Sequence, residues 1–235
     1  MVVEIKLNEW INNGVSDMIG MATDDYNKGQ IIRDKGQLDE ALNSAKISLK
    51  ENEELNDLGG MAKDYSNIGQ IFNDKGDLDE AVNYAKKALE IQTELNDKIG
   101  MAIDYNNIGT ILHVRGDLDE ALNYAKKALE IQTELNEKTS MAVIYNNIGQ
   151  IYQDKGDLDE ALNYARLALK IDEELKDMFQ VATDYFNLIS LCYIRQDKEE
   201  ELVYLKKLKH LLDRVSNYSN MDYIIKRIKE LDDES

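Results

Sequence analysis

Five asparagines, Asn27, Asn67, Asn107, Asn147 and Asn187, recur along this chain at intervals of forty residues. A carboxamide offers a donor and an acceptor together, so the chemistry open to this series is hydrogen bonding to another amide rather than proton or group transfer. The other reactive residue types are sparse or badly spaced. His113 and His210 fall at different points of the period, which argues against both a metal site and a catalytic triad. Stretches such as Asp154 to Glu160 are rich in carboxylates, but a calcium loop spaces its oxygen ligands every second residue around a central glycine and ends on a distant glutamate. Helix capping accounts for the same residues. No glycine-rich loop follows a strand, and no nucleophile has a base within helical reach. The single cysteine, Cys192, excludes an internal disulfide, suits a reducing compartment and falls at a core position. Catalysis has no candidate residue, and no cofactor or metal is expected.

The asparagines must be positioned by whatever repeats with them. A shift of forty residues aligns Gly36, Gly76, Gly116 and Gly156, and likewise Gly29, Gly69, Gly109 and Gly149. Such a period means that each unit is one supersecondary element, unable to bury its apolar face unless it stacks on its neighbours. Met141 to Gln180 contains the fullest copy. Each unit reads as two helices. In the third, Leu118, Ala121, Leu122, Ala125, Ala128, Leu129, Gln132 and Leu135 share one helical face, and Ala102, Tyr105, Ile108, Gly109 and Leu112 share another. Between them, Gly116 is suited to the left-handed turn that ends the first helix, with Arg115 in its last turn. Asp117 is expected to cap the second helix, with Glu120 placed as in a capping box and Asp119 in the first turn. Asn96 and Asn136 are suited to left-handed positions where second helices end. The chain has no proline to interrupt any helix.

The order Tyr145, Gly149, Tyr152, Gly156-Asp157, Ala161 and Ala168 resembles the tetratricopeptide repeat pattern position by position. The resemblance spans about residues 20 to 210 and recurs in several near copies. Its forty-residue period and lack of proline depart from the usual shorter repeat. They make it similar to the repeats of kinesin light chains, of Pins/LGN-type adaptors and of many prokaryotic multi-repeat regulators. HEAT repeats share the length but lack this Gly, Gly-Asp and Ala spacing. The implied fold is all-α, a right-handed superhelical α-solenoid of antiparallel helix pairs. We divide the chain into an N-terminal half-repeat or capping helix over 1–20, five repeats over 21–218 and a C-terminal capping helix over 219–235. Repeat five departs most, with Ile189 and Gln196 replacing the two glycines.

The resemblance also implies that the asparagine series faces a concave groove, where a ladder of carboxamides holds the backbone of an extended peptide. Flanking groove positions, again by the family pattern, include Gln30 and Arg33 in repeat one, Gln70 in repeat two, and Asn106 and His113 in repeat three. Asn146 and Gln150 follow in repeat four. Duplication alone would also copy an asparagine. Against that, the second-helix series Asn43, Asn83, Asn123 and Asn163 lapses to Val203 in repeat five, whereas the first-helix series persists as Asn187. Asp34, Asp74 and Asp154 lie at the groove edge, either as solvated charge or as an attraction for a ligand carrying Lys or Arg.

Composition bounds the rest. Hydrophobic content of 43% is enough for a packed interior, and a net charge of −18 argues against nucleic acid as the main ligand. No apolar stretch is long enough to span a membrane, and Met1 to Trp10 lacks a secretory core. The expectation is therefore a cytoplasmic adaptor or scaffold that binds a protein or peptide. It is expected to be mostly monomeric with weak self-association, and not an enzyme. The alternative is a structural or regulatory repeat region of a larger protein, acting by end-to-end assembly.

Overall fold

A computed structural model describes residues 35–213 and 221–233. Among these residues lie ten helices and no strand. They are α1 (Lys35–Leu55), α2 (Leu58–Lys75), α3 (Leu78–Glu94), α4 (Lys98–Arg115), α5 (Leu118–Leu135), α6 (Lys138–Asp154), α7 (Leu158–Leu175), α8 (Met178–Arg195), α9 (Lys198–Asp213) and α10 (Met221–Asp233). The all-α architecture of paired helices expected from the sequence is the one observed. The described chain divides into two compact units, one ending at Asp157 and the other beginning at Leu158. In the first, each helix from α1 to α6 packs on the next, and the first helices α2, α4 and α6 also touch in sequence. In the second, α7 packs on α8, α8 on α9, and α9 on α10. The expected 1–20 segment lies outside the described residues.

Turn chemistry explains why the helices stop where they do. Gly76, Gly116 and Gly156 are all left-handed, with φ of 81°, 92° and 82°. At the second of these, the Gly116 N–H donates to the His113 carbonyl at 3.0 Å and the Asp117 N–H donates to the Leu112 carbonyl at 2.9 Å. This pair of bonds satisfies carbonyls that a helix end would leave orphaned. Asn96 and Asn136 are left-handed as expected, with φ of 51° and 55°. Gln196 adopts the same conformation, φ 62°, where repeat five has lost its glycine.

The capping expectation needs a correction. Asp117 stands at the N-cap of α5, but its carboxylate caps no backbone N–H. It accepts instead from Arg115 Nε, two residues earlier. Side-chain caps sit mainly on the first helices of the repeats. The Asp57 carboxylate accepts from the Gly60 N–H at 3.0 Å, and the Asp97 carboxylate accepts from Gly100 in the same way at 3.0 Å. In repeat five, Asp197 does cap the second helix, accepting from the Glu200 N–H at 3.1 Å.

Small residues bring the two helices of a repeat together. A Cβ built on Gly109 would stand 3.2 Å from the Ala121 carbonyl oxygen and 3.3 Å from the Ala125 nitrogen, with Ala121 and Ala128 fully buried. Gly69 meets Ala81 and Ala85 identically. The repeated tyrosines then close the hairpin from the side. Tyr105 packs on Tyr124 with ring centroids 5.9 Å apart, and the Lys127 ammonium lies over both rings.

Candidate functional site

The site is built on the first helices. Asn67, Asn107 and Asn147 occupy equivalent places on α2, α4 and α6, and Asn187 does so on α8. Each immediately precedes a fully buried residue, namely Ile68, Ile108, Ile148 or Leu188. One side of each helix is thereby anchored in the core, and the asparagine stands at its margin. Asn67 is exposed, whereas Asn107, Asn147 and Asn187 are half-buried. Two amides are linked across repeats, because Asn147 Nδ2 donates to Asn106 Oδ1 at 3.0 Å. Asn106 and Asn146 are half-buried, and Gln70 and Gln150 are exposed. Asn27, Gln30 and Arg33 lie outside the described residues.

Two edge acids are engaged within the protein. His113 Nε2 lies 2.6 Å from Asp154 Oδ2, joining repeat three to repeat four. Gln70 Nε2 donates to Asp74 at 3.4 Å. Four further acids form a second ladder on the surface. Asp39 pairs with Lys75, Asp79 with Arg115 at 2.8 Å, Asp119 with Lys155, and Asp159 with Arg195 at 2.8 Å. Each pair joins the start of one second helix to the residue before the turn of the next repeat. The Asp-Leu-Asp-Glu acids therefore tie successive hairpins together as well as favouring the positive ends of their own helices.

Sequence reasoning missed a row of buried carboxyls just before the core tyrosines. Asp64, Asp104 and Asp184 are 7%, 1% and 0% exposed. Their partners come mainly from the preceding repeat. Asn52 Nδ2 donates to Asp64 at 2.6 Å, and the Ser66 hydroxyl donates to Asp104 Oδ1. Gly60 makes room for the Asn52 side chain, since a Cβ there would lie 2.6 Å from it. Burial pushes the Asp104 carboxyl up to about 6, opposed by the Ser66 hydrogen bond. Asp172, 4% exposed, lies beside Asp184. Desolvation raises the Asp172 pKa. A period-forty Asp directly before Tyr65, Tyr105 and Tyr185 was the available signal; Ile144 breaks it in repeat four.

The reactive side chains elsewhere are quiet. Cys192 is fully buried, and burial followed by nearby Glu200 and Asp197 pushes its thiol up to about 12. A thiol so placed is not a nucleophile at neutral pH. Among the described residues, no cluster of His, Cys, Asp and Glu could hold a metal, and no helix is long and apolar enough to cross a membrane.

A stack of two-helix units with glycine turns, alanine contacts and aromatic packing at a fixed period defines a helical-repeat protein. The chain belongs to the tetratricopeptide repeat family, whose model matches residues 21–94 and 100–174. Family membership supports a protein–protein interaction module. A comparison with curated proteins finds no match. Among solved structures, BtubC (BKLC) from P. vanneervenii is similar at 21% identity and TM-score 0.69, covering 83% of this chain and 82% of that one. The repeats of a putative kinesin light chain from Podosopora anserina are similar at 14% identity and TM-score 0.66, covering 78% and 91%. A Rap protein complexed with Competence and Sporulation Factor is similar at 20% identity and TM-score 0.65, covering 78% and 52%.

Proposed function

We propose that the chain is an adaptor that binds an extended segment of a partner protein along the first-helix face through its asparagine series. The observation that carries this reading is the register of Asn67, Asn107 and Asn147 on three helices that touch in sequence, which sets carboxamides in a row. A row of amides can pair with successive peptide groups whatever the ligand's side chains are. The Rap neighbour, solved complexed with Competence and Sporulation Factor, supports binding on this architecture. With Cys192 buried, His113 engaged by Asp154 and only one cysteine in the chain, we read the protein as a cytoplasmic binding module without catalysis or cofactor. We also read it as mostly monomeric.

The test is Asn107→Ala with Asn147→Ala. Each lost hydrogen bond weakens binding by about 0.5–1.5 kcal/mol, so capture of partner from a lysate falls at least about fivefold, whereas loss of the Asn147–Asn106 bond lowers the melting temperature only slightly. Undiminished capture by a folded double variant removes the asparagines from the binding role. Sedimentation over a wide concentration range tests the monomer, and a dimer that persists on dilution favours end-to-end assembly instead.

A further inference from the structure

Within the second unit, a pocket of about 230 Å³ opens among α7, α8 and α9. Val181, Tyr185 and Leu211 supply its apolar wall, and Met178, 47% exposed, stands at its mouth. Repeat five departs from the other repeats at the residues that shape this space. Repeats two to four carry Met61, Met101 and Met141 in the place of Val181, and the shorter valine leaves room that a methionine takes. Repeats two and three follow Lys87 and Lys127 with Glu90 and Glu130, whereas Lys207 is followed by His210. The exchange removes an acid from beside the ammonium.

Two opposite charges are held here on one tyrosine. The Tyr185 hydroxyl donates to Glu173 Oε1 at 3.0 Å, and the Lys207 ammonium lies over the same ring, 6.0 Å from its centroid. Burial, followed by Glu173, pushes the phenol up to about 12, so it remains a donor at neutral pH. Glu173 and Lys207 line the pocket from opposite helices without pairing, and no carboxylate among the described residues pairs with Lys207. A ligand with one charge satisfies one wall and meets a like charge on the other, whereas a zwitterion satisfies both. Size narrows the class further. An apolar cavity of about 150 Å³ holds a benzene ring, so this pocket suits a molecule about half as large again, a leucine rather than a tryptophan. We propose that it binds a free α-amino acid with an aliphatic side chain, whose ammonium donates to Glu173 Oε2 and whose carboxylate accepts from Lys207 Nζ with His210 beside it, while the side chain lies against Val181, Leu211 and Met178. No asparagine of the row lines this pocket, so the site is independent of the peptide reading.

The experiment titrates L-leucine, leucinamide and N-acetyl-leucine into the full chain carrying labelled Met, Val and Leu methyl groups. Leucine shifts the Met178, Val181 and Leu211 methyl resonances saturably, with a dissociation constant on the order of 1 mM because both charged partners face solvent. Leucinamide lacks the carboxylate and N-acetyl-leucine lacks the ammonium, and each binds at least about fivefold more weakly. Glu173→Gln keeps an acceptor for the Tyr185 hydroxyl and removes leucine's advantage over N-acetyl-leucine. Lys207→Met removes its advantage over leucinamide. The wild-type comparison decides the proposal even if a variant misfolds. Three results overturn it: N-acetyl-leucine, which mimics a protein C-terminus, binding as tightly as leucine or more so; leucinamide, which mimics an N-terminus, doing the same; or no saturable shift at these methyls.

Discussion

Arg227 holds Glu201 through two parallel hydrogen bonds, Nε to Oε1 at 2.7 Å and a terminal nitrogen to Oε2 at 2.9 Å. Glu201 is 3% exposed, although it stands where repeats two to four carry the buried Ala81, Ala121 and Ala161. The pair docks α10 on α9, with Ile224 and Leu231 buried beside it and the guanidinium 5.5 Å from the Tyr193 ring centroid. Arg227→Ala leaves a buried carboxylate uncompensated and destabilises the second unit by about 3 kcal/mol. Hydrogen exchange of α10 should accelerate in this variant, and Arg227→Met with Glu201→Leu should restore most of the protection. Unchanged exchange in the single variant would mean that α10 is held by its apolar residues alone.

Gly109 lies against the backbone of α5, which cannot retreat as a flexible side chain can. Gly109→Leu therefore overpacks repeat three and costs about 1–3 kcal/mol. Thermal denaturation followed by circular dichroism measures it, and a parental melting curve would contradict the contact with Ala121 and Ala125.

Asp104 couples stability to pH. Its carboxyl is pushed from 3.8 up to about 6, so the folded state binds this proton more tightly than the unfolded state does. The resulting stability is fully present below pH 3.8 and is lost as pH rises through about 6. Asp104→Asn keeps an acceptor for the Ser66 hydroxyl and cannot ionise. The variant should gain on the parent by roughly 1–3 kcal/mol between pH 4 and pH 7.5. Melting temperatures of the two proteins across that range provide the measurement, and parallel curves would rule the coupling out.

The surface ladder should contribute little at any single rung. Arg115 is 29% exposed and its Asp79 partner 92%, so solvent screens the pair. Arg115→Gln should cost under about 1 kcal/mol in dilute buffer, with the loss shrinking in molar salt. Urea midpoints at low and high sodium chloride test this, and a large salt-independent loss would show that Arg115 acts through packing.

The repeat and the hairpin are legible in the residues alone, since both follow from local chemistry. A glycine before Asp admits a left-handed turn, as at Gly76, Gly116 and Gly156, and Asn96 and Asn136 tolerate the same conformation. Gly109 and its facing alanines specify a close helix contact because they have no side chain to obstruct it. Which polar groups meet across repeats follows from the packing of one hairpin on the next. Asn52 reaches Asp64 twelve residues away, and His113 reaches Asp154 forty-one residues away. Those pairings depend on the angle at which one hairpin stacks on the next, which no residue's own propensity encodes. The same stacking left Gln132 Oε1 buried beside Ile144, and set Arg115, which Asp79 also engages, to draw the Asp117 carboxylate away from its cap. Local pattern selects the helices, whereas partnerships between side chains are settled by packing, because burial determines which charges and amides must find one another.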